Sequence, residues 1–192
     1  MRETQRLSVI ALLAAISFLL MLVGQIPLIP GATFLKMDFS FVPIFIGAIL
    51  LDLRAGFMVL ILRSLLKLLL DGAGVNDYIG LPMNMVGLAV LLIGLYYGMQ
   101  KGKQWNWRRL LLGGVIGTIM LTIAMVIMNL VYGIPLYARF ANFDIAKTIG
   151  TKVYLLYMVL PFNLVEGILL TLVSGLILLP FKNVFVRLMR QL

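Results

Sequence analysis

The 192-residue chain contains neither cysteine nor histidine, and those two absences exclude a good deal. There is no disulfide, no thiol nucleophile and no imidazole base, and the two commonest ligands for zinc, copper or haem are missing. Most enzyme classes are disfavoured at once. Acidic side chains are scarce too: 7 Asp and Glu stand against 16 Lys and Arg, a formal net charge of +9. Only 12% of residues are charged and 62% are hydrophobic, with a mean hydropathy of +1.10, which no ordinary water-soluble domain shows. Charge is absent from whole stretches, residues 7–35, 78–100 and 110–138. Each is as long as the ~20 apolar residues that cross a bilayer core. In such a chain the basic excess reads as loops facing an anionic cytoplasmic leaflet rather than as a nucleic-acid surface.

What is present is a series of apolar segments, which predicts an all-α membrane protein of one integral domain, 1–192, with six transmembrane helices. The segments are 7–23, 39–51, 55–70, 78–98, 110–132 and 151–179. The first is not followed by a small-x-small cleavage site, so it is kept as a helix rather than a signal peptide. Residues 24–38, with Pro27, Pro30 and Gly31, read as an irregular loop outside the membrane, and Gly133 and Pro135 read as the end of the fifth helix. Pro161 falls inside the sixth, which is too long to cross untilted or unkinked. Sorting the cations by loop puts ten on the side of the termini and six opposite, so both termini are placed in the cytoplasm.

Polar groups inside spans are expensive and so mark function. Asn84 lies near the outer end of helix four; Asn129 and Tyr132 sit one turn apart near the end of helix five, with Tyr137 beyond; Asn163 and Glu166 share a face of helix six beside Gly167. One such Asn could simply join helices by a hydrogen bond. Three Asn, one Glu and two Tyr converging on one side instead suggest a cavity opening outward, suited to a neutral, flat, hydroxyl-bearing or heterocyclic ligand. Leu28, Ile29, Phe34, Leu35 and Met37 of the 24–38 loop could shield such a ring. On helix one, Leu7, Ala11 and Ala15 recur every four residues and Ala14 widens the strip, a pattern that admits close helix approach in lipid. Arg63 and Lys67 are expected to snorkel outward or, for Lys67, to pair with Asp71. No phosphate-binding Gly-x-x-x-x-Gly-Lys-Ser/Thr loop occurs.

The blocks Ala11-x-x-x-Ala15, Phe34-Leu-Lys-Met-Asp-Phe-Ser40 leading to Pro43-Ile-Phe-Ile-Gly47, Asn129-x-x-Tyr132-Gly-Ile-Pro135-x-Tyr137 and Pro161-Phe-Asn163-Leu-x-Glu166-Gly167 resemble the substrate-binding S components of energy-coupling factor vitamin transporters, specifically the riboflavin-binding ones. The resemblance implies a multi-pass protein of the bacterial plasma membrane, not an enzyme, that captures riboflavin from outside. Riboflavin is then a transported ligand and not a cofactor. The implied partners are a transmembrane coupling protein and two cytoplasmic ATPase subunits. Ala11, Ala14 and Ala15 would meet the coupling protein, and 24–38 would be a lid. Asn84, Asn129, Tyr132, Tyr137, Asn163, Glu166, Gly167, Leu35 and Met37 are the candidate ligand contacts. A stand-alone secondary transporter, with Glu166 as its deep carboxylate, is the alternative.

Overall fold

The computed structural model describes residues 3–28, 35–72, 74–100 and 105–191. Ile29, Phe34 and the rest of the loop centre lie outside the described residues, as do Arg2, Lys101 and Lys103. The chain is mostly helical: α1 (Glu3–Val23), α2 (Phe41–Leu50), α3 (Leu53–Asp71), α4 (Val75–Gln100), α5 (Trp107–Met128), α6 (Ile134–Phe140), α7 (Ile145–Thr148), α8 (Thr151–Val153), α9 (Leu160–Leu178) and α10 (Lys182–Gln191). Among the described residues, four continuous helical stretches are long and apolar enough to cross a membrane, namely Glu3–Val23, Val75–Met99, Trp107–Phe140 and Thr151–Leu178. α2 is apolar but short, and α3 carries Arg54, Arg63, Lys67 and Asp71.

Pro135 does not act as the sequence suggests, whereas Pro161 lies inside a continuous helical stretch as expected. The fifth helix does not stop near Tyr132 but continues to Phe140 through a π-helical turn, Asn129–Gly133. Pro135 stands in the first turn of α6 beyond it. A proline lacks an N–H and collides with the carbonyl four residues back, and the wider i→i+5 turn is one of the adjustments that absorbs such a defect. The same device recurs before Pro161, where Tyr154–Val159 is π-helical and Pro161 opens α9.

Packing relies on small residues, because lipid gives apolar helices no reason to leave it for one another. α4 and α5 touch through glycine on both sides: a Cβ at Gly94 would stand 2.5 Å from Gly117 Cα, and one at Gly98 2.5 Å from Gly113 Cα. On the next face of α5, Gly114 receives Thr171, and Gly167 of α9 receives Thr118. Large side chains such as Leu12, Leu19, Leu112, Val115 and Leu176 point outward, as a lipid-facing surface requires. On α1, Ala11 and Ala15 are exposed, but Ala14 is buried in the core with Ile10. Ala14 therefore does not widen the outer strip: at 3.6 residues per turn it stands about 100° round the helix from its neighbour Ala15, on the side that meets the core.

The bundle has two distinct ends. At one, Arg6 meets Asp52 at 2.7 Å, and Trp107 packs on Gly175. Asp52 caps α3 by accepting from the Ala55 N–H at 2.8 Å. Burial alone would push its carboxyl up, but the Ala55 N–H and Arg6 outweigh that and hold it below the usual carboxylate value. The described parts of the 24–38 loop lie at the opposite end, and they are not wholly irregular: β1 (Ile26–Pro27) and β2 (Lys36–Met37) pair antiparallel, Ile26 opposite Met37 and Pro27 opposite Lys36.

Candidate functional site

A depression at the loop end leads into the bundle. Its inner chamber is about 90 Å³ and its outer chamber about 380 Å³, and Lys36, Gly80, Asn84 and Tyr137 line both. The inner wall follows helix periodicity. α4 supplies Gly80, Met83, Asn84, Gly87 and Leu88, and α5 supplies Leu121 and Met125 with Asn129 at the start of the π turn. Steps of three and four put each set on one helix face. Tyr154, Phe162 and Glu166 come from the stretch around α9, Tyr137 from α6, and Leu35 and Lys36 from the loop. Gly80 keeps the passage open, since a Cβ there would meet nothing nearer than Tyr137 Oη at 4.0 Å.

The polar groups are held in fixed orientations. Tyr154 Oη donates to Asn129 Oδ1 at 2.7 Å, while Asn129 Nδ2 donates to the Met125 carbonyl at 2.8 Å. The two π turns are thus tied to each other by side chains that their own geometry places. Asn163 Nδ2 donates to the Val159 carbonyl at 2.6 Å, which leaves its buried Oδ1 without a partner. Glu166 is buried, and among the described residues neither an ion pair nor a hydrogen bond engages its carboxyl. The unpaired carboxyl lines the inner chamber and the orphan acceptor lies one turn from it, so a hydrogen-bonding ligand there would meet Glu166 first.

Of the residues the sequence singles out, the structure brings Asn84, Asn129, Tyr137, Glu166 and Leu35 together on the cavity wall. Asn163 is one turn from Glu166 but does not line either chamber. Gly167 faces Thr118, where it serves packing. Met37 is buried within the loop ladder, opposite Ile26, and lines neither chamber. Tyr132 is turned away, half-buried, with its hydroxyl 3.5 Å from the Tyr78 carbonyl. The cause is the π turn, whose extra residue rotates the downstream side chains out of α-helical register with Asn129.

Two further expectations change. Lys67 does pair with Asp71, at 2.5 Å, and reaches Asp77 at 3.5 Å. Arg63, by contrast, does not snorkel. It is fully buried and bonds Ser40, Asn84 and Met21. Tyr154, Lys36, Met83 and Met125 also join the site. Nothing in the sequence sets Tyr154 apart from other tyrosines in apolar runs or couples it to Asn129.

Comparison with known proteins agrees with this layout over nearly the whole chain. The family model for the substrate-specific component of ECF transporters matches residues 5–178. The riboflavin transporter RibU of Streptococcus thermophilus is 49% identical over 188 residues, covering 98% of this chain and 88% of that protein. RibU of Leuconostoc mesenteroides is 49% identical over 177 residues, covering 92% and 90%. A solved S component of a bacterial ECF transporter superposes with a TM-score of 0.77 at 28% identity, covering 95% of this chain and 98% of that one. With a helical bundle, a cavity at one end and a family match of this extent, the chain belongs to the substrate-specific components of ECF transporters.

Proposed function

We propose that this chain is the riboflavin-binding subunit of an ATP-driven ECF transporter, a transport protein of the bacterial plasma membrane that captures the vitamin from outside. The observation that carries the reading is the cavity in which Asn84, Asn129, Tyr154 and Glu166 surround an apolar wall of Leu88, Leu121, Met125 and Phe162. Riboflavin is a flat tricyclic ring with a polar edge and a chain of hydroxyls. The apolar wall suits the ring, and the amides, phenol and carboxyl suit the edge and hydroxyls. The inner chamber alone is too small for it, so the ligand extends into the outer one under Leu35 and Lys36. The identity to two proteins named as riboflavin transporters supports the same ligand.

In this reading α2 and α3 complete six spans, with both termini cytoplasmic and the cavity end outside. No cofactor is required, since riboflavin is cargo. The sequence carries no phosphate-binding loop, so the energy comes from two ATPase subunits through a transmembrane coupling protein, for which the exposed Ala11 and Ala15 are the docking strip.

The protein purified in detergent should carry a yellow flavin absorption spectrum. Flavin-fluorescence titration should find Asn129→Ala and Asn163→Ala weakened at least several-fold, as expected when hydrogen bonds of about 1 kcal/mol are lost from a buried site. A colourless preparation that quenches no added riboflavin would reject the function. Unchanged affinity in both variants would move the ligand off these helices.

A further inference from the structure

Arg63 heads the described side chains that are fully buried, by size. A guanidinium removed from water is costly unless something compensates it, and none of the ion pairs among the described residues includes Arg63. Its hydrogen-bond partners are neutral and come from three other parts of the chain, while the Asp38 carboxylate offsets its charge without a direct ion pair. Nη2 donates to Asn84 Oδ1 at 2.8 Å, and Nη1 donates to Ser40 Oγ at 3.2 Å and contacts Met21 Sδ at 2.8 Å. Ser40 is itself fixed: its N–H donates to Asp38 Oδ1 at 2.8 Å, and its carbonyl accepts from Ser17 Oγ at 2.6 Å. One cation thus joins α1, the segment leaving the loop, α3 and α4.

The consequence for Asn84 comes from donor chemistry. A guanidinium has five N–H donors and no acceptor, so whichever end of the Asn84 amide meets it must be the oxygen. The Asn84 NH2 then has no protein partner among the described residues, although the residue lines both chambers. We propose that Arg63 is a positioning residue for ligand capture, locking the Asn84 amide with its oxygen inward so that its NH2 donates to an acceptor oxygen of the ligand at the neck of the cavity. This rests on the riboflavin reading and adds a direction to one of its hydrogen bonds.

The test uses the full-length protein in detergent, with riboflavin as the probe and thermal denaturation as the fold control. Asn84→Asp is nearly isosteric; it removes the NH2 and hands the buried guanidinium a carboxylate. It should melt at or above the wild-type temperature yet bind riboflavin about tenfold more weakly, as weakly as Asn84→Ala. Arg63→Met should weaken binding by a similar factor, and Arg63→Met with Asn84→Ala should be no weaker than the poorer single variant. Wild-type affinity in Asn84→Asp would overturn the proposed orientation, and it would do so even where Arg63→Met fails to fold. Losses that multiply in the double variant would show that Arg63 acts elsewhere. Wild-type protein that binds no riboflavin would remove this proposal together with the function on which it rests.

Discussion

Tyr154 illustrates how much one hydroxyl can fix. Its Oη is the donor that holds Asn129 Oδ1, and both side chains are buried on the cavity wall. Tyr154→Phe keeps the ring and its packing but leaves the amide oxygen of Asn129 unsatisfied or free to turn. The amide would then lose its set orientation, and riboflavin affinity should fall by about five- to tenfold, near 1 kcal/mol, with little change in melting temperature. Equal affinity by fluorescence titration would mean that Asn129 needs no such guide. Asn84, Asn129 and Glu166 were legible in the sequence because a polar group in an apolar span costs too much to be idle. Tyr154 was not, since a tyrosine is at home in apolar surroundings and its partner lies 25 residues away. Arg63 misled for the opposite reason: a charge in a helix defaults to the surface, and only the meeting of Ser40, Met21 and Asn84 makes an interior home for it.

At the level of elements, the apolar runs match α1 to α4 and the Thr151–Leu178 stretch to within a few residues; the fifth ran further because a π turn let the helix pass Pro135, and the short or charged helices α7 and α10 left no apolar run to read. Hydropathy cannot see such a turn, because it changes which residues face inward without changing their composition. The closest helix pair was visible in principle as Gly94/Gly98 and Gly113/Gly117, each spaced by four, although which helix would face which was not. For α1 the distinction between Ala11 or Ala15, exposed, and Ala14, 2% exposed, is decisive. A bulky residue on the outer strip should spare the fold and spoil only an interface that needs close approach, whereas one at position 14 overpacks the core. Ala11→Trp and Ala15→Trp should therefore insert and bind riboflavin normally but fail to co-purify with the coupling protein, while Ala14→Trp should lose folded, flavin-binding protein. Full complex formation by both outer variants would take the docking surface off α1.

The molecule as a whole is polarised. The Arg6–Asp52 pair and the packing of Trp107 on Gly175 mark one end, and the cavity opens at the other, beneath a loop whose two arms are joined by the Ile26–Met37 and Pro27–Lys36 pairing. That ladder bears directly on the ligand, for Lys36 lines both chambers and its neighbour Leu35 lines the inner one. A two-residue ladder is too short to be stable alone, so a ligand that packs under it should shift it toward its paired, closed form by as much as it prefers that form. Hydrogen exchange followed by mass spectrometry should accordingly slow across residues 24–38 when riboflavin is added, with no change in peptides from the Arg6–Asp52 end. Exchange in 24–38 that is the same with and without the vitamin, in protein that demonstrably binds it, would mean that the loop is not a lid and that the cavity stays open while occupied.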